Sequence, residues 1–184
     1  MHRQHLRHLL HRYAASHVGE AALVLRFVKF VDAHDDCLLR SCRPGHITAS
    51  AWILSADGRS ALLTHHKKLG RWLQLGGHVD GEAQIESAAL REAQEESGMR
   101  DFDFVTWSGR GLEPLDLDVH TIPAHRQEPQ HEHWDVRFLL RARPGQELVV
   151  SAESNRLQWF PLDALPTTEE SVLRLGRKAA LRLG

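Results

Sequence analysis

Gly77-His78-Val79-Asp80-Gly81-Glu82, leading on to Arg91-Glu92-Ala93-Gln94-Glu95-Glu96-Ser97-Gly98-Met99, is the stretch on which the reading of this chain turns. Glu92, Glu95 and Glu96 stand at i, i+3 and i+4, so a helix gathers their carboxylates on one face. Ala88, Ala89, Leu90 and Ala93 are good helix formers. The repulsion they must outweigh is only about 0.2–0.5 kcal/mol per like-charged pair. A divalent cation reverses the sign of that repulsion. Clustered carboxylate oxygens are hard ligands suited to Mg2+ or Mn2+, and Mg2+ typically binds substrate phosphates beside one or two carboxylates. Gly76-Gly77 is expected to form a turn that lets the backbone approach the site closely, with the helix starting near Glu82 and offering free N–H groups. The plain alternative for the glutamate triple alone is a solvated helix face. Gly77, Arg91 and the Gly98 helix stop, taken jointly, weigh against it.

Gly77, thirteen intervening residues, then Arg91-Glu92-x-x-Glu95-Glu96-x-Gly98-Met99 resembles the signature of the Nudix hydrolases, over the 23 residues from Gly77 to Met99. In that family the glycine is followed by five residues and a glutamate. Here that position is Ala83, and Glu82 stands one place early, which we read as a one-residue shortening of the loop. The resemblance implies an α+β fold, an α/β/α sandwich with a mixed β-sheet. It implies that Glu92, Glu95, Glu96 and the backbone at Gly77 hold Mg2+ or Mn2+, and that Arg91 pairs with a glutamate in support of catalysis. Glu95 or Glu96 is then the general base. Family members also recruit a base from a loop elsewhere, for which Glu128, Glu132 and Glu153 are the candidates. The implied reaction is metal-dependent hydrolysis of the phosphoanhydride bond of a nucleoside diphosphate linked to another moiety, for example a nucleotide sugar or a nucleoside triphosphate. The implied partner is therefore a small nucleotide-type diphosphate, and homodimer formation stays open.

A chain of 184 residues suits one globular domain with an appendage. A net charge of -1 does not advertise a nucleic-acid surface, and 42% hydrophobic with 26% charged residues is the balance of a soluble protein. No run approaches the roughly eighteen apolar residues that span a bilayer, and the opening residues lack a signal peptide's apolar stretch. The expectation is a cytoplasmic protein with no membrane contact. Cys37 and Cys42 form no C-x-x-C pattern, so a disulfide framework or four-cysteine zinc site is excluded and buried thiols are the default.

Of fourteen histidines, His2, His5, His8, His11 and His17 fall at the start. Leu6, Leu9, Leu10 and Tyr13 recur between them at helical spacing, which predicts an amphipathic helix. A second helix is predicted over Glu20 to Ala33. Residues 1–42 then form an N-terminal helical extension to a Nudix-like domain over residues 43–184. Strands are predicted over Ile47 to Leu54 and Ala61 to Thr64, joined by the turn Ala56-Asp57-Gly58-Arg59. Further strands are predicted over Phe102 to Trp107, Leu115 to Ile122, His133 to Ala142 and Leu157 to Phe160, with a last helix over Thr167 to Leu183.

A second constellation lies outside the signature. His120, His125, His131, His133 and Asp135 crowd one segment, and His131, His133, Asp135 and Arg137 alternate on one face of a predicted strand. Trp134, Val136, Phe138 and Leu140 form its opposite, core-facing side. Three readings of the polar face stay open: a solvated sheet surface, substrate contact by His133, Asp135 and Arg137, or an additional transition-metal site. His65, His66, Lys67, Lys68, Arg71 and Trp72 precede the glycine pair, and cations there suit a diphosphate. Arg71, Trp72 and His78 complete the candidate substrate contacts, with simple packing the alternative for Trp72.

Two rivals bear on the function. A Nudix-fold nucleotide-binding or regulatory module without catalysis draws mild support from Ala83. An isopentenyl-diphosphate isomerase-like enzyme is disfavoured, because Cys37 and Cys42 both lie well before the signature.

Overall fold

The computed structural model describes residues 3–109, 111–125, 128–152 and 154–183; His2 and Glu153, both named above, lie outside them. Two short helices lead. Helix α1 (Gln4–Ser16) buries Leu6, Leu9, Leu10 and Tyr13, and α2 (Ala21–Ala33) buries Val24, Phe27, Phe30 and Val31. Those spacings set a single apolar stripe on each helix, while His8 and His11 remain on the exposed side of α1. Cys37 and Cys42 follow as buried free thiols, and burial pushes them up to about 11 and about 12.

Strand β1 (Gly45–Leu54) is buried at every position, as a central strand covered on both faces must be. It runs parallel to β7 (His131–Ala142), with His46 opposite His133, Thr48 opposite Asp135 and Ser50 opposite Arg137. Around this pair the sheet adds β2 (Ser60–His66), β3 (Arg71–Leu73), β4 (Leu75–His78), β5 (Phe102–Phe104), β6 (Asp116–Ile122) and β8 (Ser154–Pro161), all antiparallel to their partners. The result is an eight-stranded mixed sheet.

One sheet face, carrying Ile47, Ala49, Ala51 and Ile53 with Trp134, Val136, Phe138 and Leu140, packs against α1, α2 and the signature helix α3 (Ile85–Ser97) in one continuous core. The N-terminal helices therefore share the core of the sheet. The other face changes character along its length. Trp52, Leu54 and Leu139 are covered by Val172, Leu175 and Ala179 of α4 (Glu170–Leu183), whereas His46, Thr48, Ser50, His133 and Asp135 continue the same face as polar residues. The architecture is the α/β/α sandwich that the resemblance implies.

Three local expectations need correction. Gly76-Gly77 is not a turn: it lies inside β4, with Gly76 opposite Ser50 and Gly77 opposite Ala49 of β1. The glycines are needed because a Cβ on Gly76 would stand 2.4 Å from Ser50 Oγ. The helix accordingly starts at Ile85, after a loop, and not near Glu82. It ends at Gly98, whose φ of 73° is the left-handed conformation that closes a helix. The predicted strand over Phe102 to Trp107 is also shorter, ending at Phe104.

Candidate active site

Helix α3 turns Ile85, Ala88, Ala89 and Ala93 into the core, and this leaves the Glu92, Glu95 and Glu96 face toward a cleft of about 640 Å3. That volume lies within the range of small-ligand sites, roughly 300–1,000 Å3. Gly76, Gly77 and His78 of β4 form its floor, with Thr48, Ser50, His133 and Asp135 from the central strands, His120 from β6, and Arg40, His66 and Lys68 at its edge.

The carboxylates are held by the backbone and by one guanidinium. Gly76 N–H donates to Glu96 Oε2 at 3.0 Å. A Cβ on Gly77 would lie 2.6 Å from the Glu92 carboxylate carbon, so only glycine lets that carboxylate rest against β4. Arg91 donates from Nη1 to Glu92 at 2.6 Å and Glu95 at 3.4 Å, from Nη2 to the His78 carbonyl at 2.9 Å, and from Nε to Glu82 at 3.0 Å. Burial works against its charge, yet the hydrogen bonds it donates to Glu82 and Glu92 raise its pKa above the usual guanidinium value. Glu92 is 15% exposed and Glu95 62% exposed at the side chain, so one is a fixed ligand candidate and the other reaches solvent.

Asp135 accepts from Thr48 Oγ1 at 3.0 Å, Ser50 Oγ at 2.8 Å and Arg137 Nε at 2.7 Å. Arg137 is 2% exposed and spends its remaining donors on Asp116 at 3.1 Å and Asp118 at 3.0 Å. Arg174 and Lys178 of α4 join the same carboxylates at 2.8 and 2.6 Å. Three cations thus meet three carboxylates between β6, β7 and α4. Burial opposes the charge of Asp118, but the His120 hydrogen bond and the Arg137 and Arg174 guanidiniums hold its carboxyl well below the usual range.

Histidines fill the remaining polar end. Burial, with neighbouring imidazoles second, pushes His46 down to about 4 and His133 down to about 2. His78 is likewise lowered, by burial first and then by Arg40. These rings are neutral at neutral pH.

The structure brings Glu92, Glu95, Glu96, Arg91, Gly77, His78, His133 and Asp135 to one cleft. It does not bring three other candidate contacts there. Arg137 is closed inside the ionic cluster; Arg71 pairs with Glu169 at 2.9 Å on the exterior; and Trp72 packs edge-on against Phe160 and His65. Among the candidate loop bases, Glu128 is exposed and paired with Arg40 at 2.5 Å. Glu132 lies on β7, opposite Gly45 of β1 and outside the cleft lining. Residues that the sequence reading did not single out are His46, Thr48, Ser50 and Arg40. Their signal is tertiary, since β1 carries no motif and meets the signature only through strand pairing.

A mixed sheet between helices with this glutamate face beside a glycine strand defines a Nudix fold. The chain belongs to the NUDIX domain family: the model of that domain matches residues 44–178. Among solved structures, it is similar to a NUDIX-family hydrolase from Clostridium perfringens, at 25% identity and a TM-score of 0.56 over 74% of this chain and 97% of that one. A MutT NUDIX hydrolase from Burkholderia pseudomallei is 26% identical, with a TM-score of 0.53 over 72% and 95% of the two chains. The fold is also that of the E. coli dihydroneopterin triphosphate pyrophosphohydrolase, at 17% identity and a TM-score of 0.56 over 74% and 94%. No curated protein matches the sequence. Among the described residues no helix is long and apolar enough to cross a membrane.

Proposed function

We propose that this protein is a Mg2+- or Mn2+-dependent hydrolase that cleaves the phosphoanhydride bond of a nucleoside diphosphate linked to another moiety. The observation that carries this reading is the meeting of Glu92, Glu95 and Glu96 with the glycine backbone of β4 in one cleft edged by cations. The donor set, three clustered carboxylates, is the kind that hard divalent cations take. Glu92, Glu95 and Glu96 would hold such a cation, which would supply charge neutralisation at the phosphate oxygens and a lowered pKa for a bound water.

The residues divide the remaining work. Arg91 keeps Glu92 and Glu95 in position and offsets their mutual repulsion. Glu95, the more exposed carboxylate, takes the proton of the attacking water as its oxygen bonds to phosphorus and the bridging P–O bond breaks. Arg40 and Lys68 at the cleft edge offer positive charge to the diphosphate. Glu82 accepts from Arg91 Nε where Ala83 offers no carboxylate, and this supports the catalytic reading over a non-catalytic module.

The test is product release from a panel of nucleoside diphosphate derivatives, including ADP-ribose and nucleoside triphosphates, with Mg2+, Mn2+ or chelator. Metal-dependent turnover is expected, lost on Glu95→Gln and Glu96→Gln. Ligand-induced thermal stabilisation with no turnover across the panel overturns the reading in favour of a binding module.

A further inference from the structure

At the histidine end of the cleft wall, His46 of β1 and His131 and His133 of β7 converge. Each offers a ring nitrogen, and the three nitrogens lie within 4.8 Å of one another. The parallel pairing that sets His46 opposite His133 makes this register-determined. His46 is 1% exposed, and neither of its ring nitrogens has a hydrogen-bond partner. Buried polar atoms are rarely left so. An imidazole in this position that met only other imidazoles would leave two polar atoms unsatisfied where an apolar side chain would do better.

The tautomer of His131 suits ligation. His131 Nδ1 lies 2.9 Å from the Pro129 carbonyl, which can only accept, so Nδ1 carries the proton and Nε2 presents its lone pair. A ligating histidine ordinarily donates its other N–H to a carbonyl or carboxylate in this way. On a tetrahedral ion at about 2.0–2.1 Å from each nitrogen, ligands stand about 3.4 Å apart. The three rings need to close by no more than about 1.4 Å.

We infer that His46, His131 and His133 form a three-histidine site for a transition-metal ion of the Zn2+ class, separate from the carboxylate site. Nitrogen ligands without a carboxylate favour Zn2+, Co2+, Ni2+ or Cu2+ over Mg2+. His133 also lines the cleft, so the fourth position opens toward it. His78 and His120 border that opening, their rings 5.4 Å from His133. Three protein ligands with one open position is the arrangement of an open rather than a closed structural metal site.

The inference is independent of hydrolysis, and its test reads metal alone. Chelator-stripped protein is titrated with Zn2+ against a chromophoric competitor, and with Co2+ by visible absorption. The expected result is one Zn2+ per chain and the intense visible bands of four-coordinate Co2+. Binding is retained in Glu95→Gln and Glu96→Gln, and in a His8→Gln/His11→Gln variant that removes the exposed histidines of α1. It is weakened at least 100-fold in His46→Gln and in His133→Asn. Thermal melting of each variant in chelator checks that it folds, and His133→Asn, at the cleft edge, serves where His46→Gln does not. Zinc affinity that follows the glutamates or the α1 histidines, or that is absent at micromolar Zn2+, overturns the site.

Discussion

Arg91 reaches across the signature loop to Glu82, Nε donating to Oε1 at 3.0 Å, while the same guanidinium holds Glu92 and the His78 carbonyl. Glu82 thus steers the cleft carboxylates without lining the cleft itself. Glu82→Gln is expected to lower kcat about 10–100-fold, the usual cost of losing a partner one shell out from a metal site, with KM little changed. Ala83→Glu is expected to be silent. Steady-state kinetics of both variants decides it, and a Glu82→Gln enzyme with full kcat would sink the assignment.

Gly77 is predicted to be irreplaceable for a steric reason. Its missing Cβ is the space in which the Glu92 carboxylate lies. Gly77→Ala should displace Glu92, raise the Mn2+ requirement at least tenfold and leave the melting temperature within a few degrees. Mn2+ titration of activity, run beside a melting curve, separates this from general misfolding.

Arg137 is a strut, not a substrate contact. Removing one partner from a buried, paired charge cluster costs about 3–5 kcal/mol, so Arg137→Met should lose about that much in denaturant unfolding. The KM of enzyme still folded at low temperature should stay within twofold. A selective rise in KM without loss of stability would reverse the assignment.

Acid should loosen the same cluster. Asp118 is held well below its ordinary value of 3.8, so its contribution is fully present above that pH and is lost as pH falls through and below it. The groups that face it are His120 on its own strand, Arg137 on β7 and Arg174 on α4. Asp118→Asn is expected to be less stable at neutral pH and to lose less between pH 5 and pH 3, the two melting curves converging in acid. Parallel curves would contradict the pairing.

The N-terminal helices are predicted to unfold with the sheet. Leu10 is fully buried in the core that also holds Ile47 and Val136, so Leu10→Ala should cost about 2–5 kcal/mol in one cooperative transition. A separate early transition for α1 and α2, seen by hydrogen exchange, would show an independent appendage instead.

The signature helix, its glutamate face and the alternation of β7 are legible in the chain, because helix and strand periods fix which side chains share a face. The family, and with it the sandwich of helices on a mixed sheet, is legible from the same residues. What only the tertiary structure decided is which faces meet. Glu82 answers Arg91 because the loop before α3 folds back, and Gly76-Gly77 is strand because it pairs with β1. Arg137, which alternates with His133 and Asp135 as a cleft residue would, is sealed by Asp116 and by Arg174 and Lys178 of a distant helix. His46 meets His133 through parallel pairing across more than eighty residues of chain. Periodicity is local and survives in the sequence; register and burial are set by long-range packing, and no spacing along the chain records them.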